Sequence, residues 1–131
     1  MIHSIAIYTM KAKEELRKAF DSKEEVSFVE KKTWQTGYKE FCKSQKLDLP
    51  MYIFFSFAEE KSGIVYIGKI TNIEIDEITK ATRYSFIMLR SMKNPKLLSD
   101  LTLVSNNKPL SNDYIRPYAV VKLPLDVDKW N

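Results

Sequence analysis

Short apolar runs separated by polar turns indicate a small sheet with few helices. The runs rich in β-branched and aromatic residues are 2–8, 26–29, 51–57, 64–70, 83–90, 101–104 and 118–123. Residues 51–57 and 64–70 are apolar on both faces and are joined by the polar stretch 58–63, so they predict a central hairpin. A small sheet can bury strands of this kind by curling on itself.

Helical spacing of apolar residues occurs in two segments. One is 11–20, and the other is 37–44, where Tyr38, Phe41 and Cys42 share one face. Strands and helices do not alternate regularly along the chain, which argues against a doubly wound parallel sheet. The sequence therefore predicts an α+β fold, a small curled β-barrel of five to six strands flanked by short helices.

The length and composition fit one folded domain over residues 1–131. The chain is 44% hydrophobic and contains only 3 glycines, so it can bury a core and is not typical of disordered proteins. No apolar run is long enough to span a membrane, and the start lacks the features of a signal peptide. We therefore expect a cytoplasmic protein that does not contact a membrane.

The formal net charge is +4, and it is unevenly distributed along the chain. Residues 83–116 carry six basic and two acidic side chains, including every arginine except Arg17. Arginine and lysine supply sequence-independent affinity for nucleic-acid phosphates, although a solvated basic face is the alternative explanation. The residues that we single out as phosphate contacts are Arg83, Arg90, Lys108 and Arg116.

The aromatic residues suggest a site for a flat ligand. Trp34 follows the charged stretch 30–33 and precedes Thr36 and Gly37, so it could form one wall of a base pocket or simply close over the core. Stacking on a base contributes roughly 1–3 kcal/mol. Ser56 is a hydroxyl within an aromatic strand and could bind either a ligand or the backbone. The residues predicted to line this pocket are Trp34, Tyr38, Tyr52, Phe54 and Ser56.

Catalytic and metal-binding chemistry finds little support in the sequence. His3 is the only histidine and Cys42 the only cysteine, so they cannot make a usual structural zinc site. Lys69 could be a reactive amine near the carboxylate of Glu74, with a hydroxyl from Thr71, although an exposed lysine at a strand end is the simpler explanation. We predict no cofactor and no metal, and we favour a binding module over an enzyme.

Several short motifs resemble those of EVE domains. Residues 34–41, Trp-Gln-Thr-Gly-Tyr-Lys-Glu-Phe, are similar to the Trp-x-Gly-Val-Arg-Asn-Tyr stretch of that family. Residues 54–56, Phe-Phe-Ser, take the place of the family's Tyr-His-Ser-like strand end, and residues 63–70 look like its Gly-Ile-x-Gly-hydrophobic strand. Residues 97–101 and 110–121 look like the family's closing helix-and-strand region.

The resemblance covers about residues 30–121 and departs from the family pattern at two places. Leu-Pro at 49–50 replaces a Gly-Asp turn, and Tyr-Lys at 38–39 replaces Arg-Asn. EVE domains belong with the PUA, YTH and ASCH domains, so the resemblance implies a PUA-like curled barrel flanked by helices. It also implies a pocket for a flipped, often modified base, with Trp34 as a wall and Ser56 at a polar edge.

The function that these expectations favour is a nucleic-acid-binding module that recognises a modified base. Its partner would be DNA or RNA, with a nuclease or restriction enzyme encoded elsewhere as a further partner. An ASCH-type amidohydrolase acting on a modified nucleoside is the first alternative, and it would use Lys69, Glu74 and Thr71. A protein-interaction domain without any nucleic-acid role is the second.

Overall fold

Six strands and two helices make up the part of the chain that the computed structural model describes, residues 5–60, 63–111 and 118–130. In chain order the elements are β1 (Ile5–Lys11), α1 (Lys13–Ser22), β2 (Val26–Glu30), α2 (Gln35–Lys46), β3 (Tyr52–Phe57), β4 (Gly63–Ile75), β5 (Thr82–Leu97) and β6 (Tyr118–Lys122). Two short 3-10 turns lie at Leu98–Asp100 and Val127–Lys129. Neither helix in these described ranges has the length and apolarity needed to cross a membrane.

The strands form one mixed sheet in the order β2-β5-β4-β3-β1-β6. β1 and β3 are parallel, and the other neighbours are antiparallel. The prediction of an α+β fold with up to six strands and flanking helices is therefore confirmed. Among the described residues no ladder joins β2 to β6, so the sheet does not close into a barrel.

The sheet is nevertheless strongly curled. Tyr84 on β5 and Tyr118 on β6 lie four strands apart, which is about 19 Å in a flat sheet. Both rings stack on the indole of Trp34 with centroid distances of 4.5 Å, so their centroids are at most about 9 Å apart. Side-chain stacking across Trp34, rather than backbone hydrogen bonding, connects β5 with β6.

The predicted central hairpin and both predicted helices are confirmed. β3 pairs antiparallel with β4, and Phe55 lies opposite Tyr66. β4 and β5 extend to Ile75 and Leu97, well beyond the predicted ends. Register shifts along this pair mark bulges, which let long strands bend while they remain paired.

The apolar run at residues 101–104 does not form a full strand of the sheet. This segment makes only isolated bridges among the described residues, from Thr102 to Pro109 and from Leu103 to Val121. Leu101 and Leu103 are buried against the sheet. The segment therefore joins the outer edge of β6 at one bridge, where the Val104 N–H donates to the Val120 carbonyl and the Lys122 N–H to the Thr102 carbonyl, while its leucines cover a face of the sheet.

Two hydrophobic clusters lie on opposite faces of the sheet, as the side-chain alternation along each strand requires. The helix-side core packs the sheet against α1, α2 and Trp34. Its largest members are Leu16, Trp34, Phe41, Phe55, Tyr84 and Phe86. The C-terminal core packs the sheet against the segment after β5, and its members include Tyr8, Phe54, Ile67, Leu101, Val121 and Trp130. In β3, Phe54 and Phe55 point into different cores.

Candidate functional site

Trp34 is held at the start of α2 by a short chain of hydrogen bonds. Its backbone N–H donates to Thr82 Oγ1 at 2.8 Å, and the Thr82 hydroxyl donates to the Lys32 carbonyl at 2.9 Å. Thr82 is completely buried at the first position of β5. One threonine therefore ties the loop before α2 to the sheet and fixes where the indole enters the core.

Two tyrosines stack on the indole of Trp34. The ring of Tyr84 is tilted by 18° from the indole plane, and the ring of Tyr118 by 23°. No ring contact between these two tyrosines is found in the described part of the chain, so they lie on opposite faces of the indole. The indole is 0% exposed. This sandwich is the densest aromatic stack that we identify.

The indole N–H of Trp34 is a buried donor that has no partner in the part of the chain that the structure describes. Trp34 Nε1 makes no hydrogen bond within residues 5–60, 63–111 and 118–130. Leaving such a group unpaired costs about 1–3 kcal/mol. Native proteins keep few such groups, and each one calls for a structural or functional reason.

The two stacked tyrosines are held very differently. Tyr84 is 1% exposed and packs beside Phe28 and Phe86 with centroid distances of 5.9 Å and 6.1 Å. Burial raises the pKa of its phenol well above the usual value of about 10. Tyr118 is half-buried at the first position of β6, which is an edge strand. Tyr84 is therefore fixed within the core, whereas Tyr118 covers the indole at the edge of the sheet.

The Tyr118 hydroxyl reaches the first turn of α2. It accepts the Gly37 N–H at 3.0 Å, one of the helix N–H groups that has no partner within the helix. A Cβ added to Gly37 would lie 3.1 Å from the Tyr118 ring and 3.2 Å from Ile7. The glycine therefore allows the close approach between the helix and the phenol.

A groove of about 390 Å³ opens beside this stack. It is lined by Thr36, Glu40, Leu103, Val104, Ser105, Tyr118, Ala119 and Val120. Its walls combine apolar side chains with the Glu40 carboxylate and the hydroxyls of Thr36, Ser105 and Tyr118. The groove places Tyr118 between open space and the buried indole.

The structure does not bring the five predicted pocket residues together. Trp34 belongs to the helix-side core, and Tyr38 lies on the exposed face of α2 on that same side. Tyr52 and Phe54 belong to the C-terminal core. Ser56 follows them on the same face of β3 by alternation. The sheet separates the two groups, so they cannot line a single pocket.

The individual positions of these residues explain the separation. Phe54 is completely buried, and its ring centroid lies 5.6 Å from that of Trp130. Ser56 donates to the Gly63 carbonyl, which is the backbone-bonding alternative. Tyr38 is 38% exposed, and a hydrogen bond to Cys42 raises the pKa of its phenol. Only Trp34 of the five combines stacking partners with an adjacent groove.

The predicted phosphate contacts are also dispersed. Arg83 is exposed on β5 between Thr82 and Tyr84, and its side chain points to the sheet face opposite Trp34. Arg90 donates from Nη1 to the Trp130 carbonyl at 3.0 Å and to the Asp128 carbonyl at 3.3 Å. These bonds anchor the segment after β6.

Lys108 is exposed in a turn, where its backbone N–H donates to Asn106 Oδ1 at 3.0 Å. This turn belongs to the segment that covers the C-terminal core, since Leu103 on its near side is part of that core. Arg116 lies outside the described residues. The described members of the set therefore do not form one stripe beside Trp34.

The residues of the enzymatic alternative face different clefts. Lys69 and Thr71 line one cleft with Phe41 and Tyr52, whereas Glu74 lines others. Glu74 instead accepts a hydrogen bond from Asn72 Nδ2. No ion pair between Lys69 and Glu74 is found within the described ranges. The geometry therefore does not assemble an amine beside a carboxylate.

Sequence reasoning missed three residues that build the Trp34 site, namely Gly37, Thr82 and Tyr118, as functional positions. Thr82 lies 48 residues after Trp34, and Tyr118 lies 81 residues after Gly37. Such long-range contacts leave no signature in local periodicity. The one local signal was the small Thr36-Gly37 pair directly after the tryptophan.

The fold is similar to that of a YTH domain. Among solved structures, the chain is similar to the YTH domain of Zygosaccharomyces rouxii MRB1 protein, solved in complex with N6-methyladenosine RNA, with a TM-score of 0.56. The likeness covers 98% of this chain and 84% of that one at 13% sequence identity, so it concerns the fold alone. No protein-family model and no curated protein matches the sequence. Membership of the EVE family stays a prediction.

Proposed function

We propose that this protein binds RNA and accepts one modified base at the Trp34 stack. The observation that carries the proposal is a buried indole whose N–H has no partner among the described residues and which one half-buried tyrosine separates from an open groove. The YTH domain with a similar fold was solved with RNA that carries N6-methyladenosine. The proposal is confined to RNA, because neither DNA nor a nuclease partner has support.

The energetics favour a single extruded base as the ligand. Flipping a base costs a few kcal/mol, least when the base is unpaired or modified. Stacking returns roughly 1–3 kcal/mol per base. The Trp34 N–H lies in the plane of the indole, so an acceptor at the edge of the ring, such as an ordered water or a sugar or phosphate oxygen of the bound RNA, could satisfy it and remove the cost of an unpaired donor. These gains require a stack that water does not enter, and the complete burial of Trp34 supplies one.

Exposed lysines next to the stack can hold the RNA backbone. Lys31 and Lys32 directly precede the loop that carries Trp34, and both are exposed. Thr33 Oγ1 donates to the Lys80 carbonyl at 2.6 Å, which brings the turn with exposed Lys80 to the same loop. Phosphate contacts of this kind add affinity that is independent of sequence and falls with salt. The base site then supplies the preference for the modification.

Two single-tryptophan variants test this proposal. Trp130→Phe leaves Trp34 as the only tryptophan, and Trp34→Phe leaves Trp130. Each is titrated with a short single-stranded RNA that contains one N6-methyladenosine, and with the unmethylated RNA, at two salt concentrations. We expect the methylated RNA to quench Trp34 at about fourfold lower concentration than its counterpart, because burial of the added methyl group contributes about 0.8 kcal/mol.

The Trp34→Phe variant is the matched control. It should keep salt-dependent binding to both RNAs and lose most of the preference for the methylated one. Circular dichroism of both variants checks that the fold is intact. Equal affinity of the Trp34-only variant for the two RNAs would contradict the proposal, as would quenching that is confined to Trp130.

A further inference from the structure

We infer that Tyr118 holds the place of the base, so that ligand binding requires its ring to leave Trp34 and its hydroxyl to release Gly37. This inference rests on the proposed function and adds how access to that site is controlled. Tyr118 then competes with the base for the face of the Trp34 indole.

The spacing in the stack shows why both rings cannot stay. The Trp34 and Tyr118 centroids are 4.5 Å apart. Aromatic carbons in contact are about 3.5–4.0 Å apart, so a third ring inserted between them would need a spacing of about 7 Å. Opening by that amount would break the Tyr118 contact with Gly37 as well, because that hydrogen bond is 3.0 Å long.

Tyr118, rather than Tyr84, is the ring that can move. Tyr84 lies within the long central strand β5 and is enclosed by Phe28 and Phe86. Tyr118 is the first residue of an edge strand, pairs only with Thr9 of β1 across the ladder, and borders the groove. Rotation of its side chain therefore breaks one ring contact and one hydrogen bond without moving the sheet.

The contacts of Tyr118 also describe what the base must offer. Its flat ring covers the indole face, and its oxygen accepts the Gly37 N–H. A base that replaces it needs a flat face and an acceptor atom at its edge. Gly37 keeps a satisfied N–H in both states, so the exchange leaves no buried donor behind.

A competitor of this kind weakens the apparent affinity. When the open state is a fraction of the population, the apparent dissociation constant is the intrinsic one divided by that fraction. Removal of Tyr118 should therefore tighten binding, whereas removal of an ordinary pocket wall should weaken it. The sign of the change separates the two roles.

The experiment compares Tyr118→Ala, Tyr118→Phe and the unaltered protein for binding of methylated and unmethylated RNA. We expect Tyr118→Ala to bind the methylated RNA about tenfold more tightly, because neither a ring contact nor a hydrogen bond competes. Tyr118→Phe keeps the ring but loses the bond to Gly37, so we expect about threefold tighter binding. Tyr66→Phe, on the same face of the sheet but in contact with Phe20 and Phe57, is the control and should change nothing.

A second readout needs no RNA. Collisional quenching of Trp34 by acrylamide, measured in the Trp130→Phe background, should increase on Tyr118→Ala because the indole loses its cover. Unchanged quenching would overturn the inference. Tyr118→Phe guards against a loss of folding in Tyr118→Ala, since it keeps the ring and almost all of the volume.

The outcomes distinguish this inference from the proposed function. Weaker binding of methylated RNA by both Tyr118 variants, with the preference for methylation kept in the unaltered protein, would overturn the place-holding role and leave the proposed function standing. Absence of any preference in all three proteins would overturn both.

Discussion

The two tryptophans of this protein are similarly buried but differ in how their polar groups are satisfied. Trp130, in the C-terminal core, is 4% exposed and donates from Nε1 to Asp126 Oδ1 at 3.2 Å. Its carbonyl accepts Arg90 Nη1, and the Lys96 ammonium lies 5.4 Å from its ring centroid. Trp34, in the helix-side core, has two stacked tyrosines, and its indole N–H has no partner within residues 5–60, 63–111 and 118–130.

This difference is what singles out Trp34, and not Trp130, for the proposed site. Burial and aromatic neighbours are common to both tryptophans, so neither property identifies the site. Complete satisfaction of the polar atoms is what a purely structural residue achieves. Trp34 Nε1 shares its lack of a described partner with the Tyr8 and Thr71 hydroxyls, and the proposed function is one explanation for the tryptophan.

Among the substitutions that test the difference between the two tryptophans, Thr82→Val is expected to have the largest effect on stability. The substitution removes the acceptor of the Trp34 backbone N–H and the donor to the Lys32 carbonyl. We expect the free energy of unfolding to fall by about 2 kcal/mol, because a buried N–H and a partly buried carbonyl lose their partner. Urea unfolding measures it.

Thr33→Val is the matched control for that substitution. Thr33 is exposed and donates only to the Lys80 carbonyl, so its replacement should cost about 0.5 kcal/mol or less. If the two valine variants were equally stable, the Thr82 link would not be what positions Trp34.

A smaller difference in the free energy of unfolding is expected between the two tryptophan-to-phenylalanine substitutions. Trp130→Phe breaks the hydrogen bond to Asp126, whereas Trp34→Phe removes an N–H that has no described partner. With a similar loss of volume, Trp130→Phe should be more destabilising by about 1 kcal/mol. Parallel urea titrations measure the difference, and a larger cost for Trp34→Phe would show that its N–H is satisfied.

The smallest effect concerns the acidic turn that supports the Trp34 loop. Asp76 Oδ1 accepts the N–H groups of Thr79 and Ile78, both at 2.8 Å, and these bonds lower the pKa of the Asp76 carboxyl below its usual value. A lowered pKa means that the turn is stabilised above about pH 4 and loses this contribution as the pH falls through the folded-state value.

NMR titration of the Ile78 and Thr79 amide protons measures this contribution directly. Both shifts should follow one transition with a midpoint below about 3.9. In Asp76→Ala the shared transition should vanish, while the environment of Trp130, in the other core, stays unchanged. A midpoint at or above the ordinary aspartate value would show that the carboxylate does not hold the turn.

Local patterning predicted much of the fold. The hairpin of β3 and β4 and the two helices were readable because burial repeats every two or three to four residues within one segment. The segment 101–104 shows the limit of this reading. An apolar run has the same appearance whether it joins a sheet edge or lies flat against a sheet face.

The same distinction between local pattern and tertiary structure holds for the candidate site. The sequence by itself determined that Trp34 stands before a helix whose first turn contains a glycine, and that β3 is apolar on both faces. Only the tertiary structure decided that Phe54 and Ser56 lie across the sheet from Trp34, and that Tyr84 and Tyr118 enclose it. The physical reason is that alternation tells which residues share a face, whereas the curl of the sheet decides which distant faces meet.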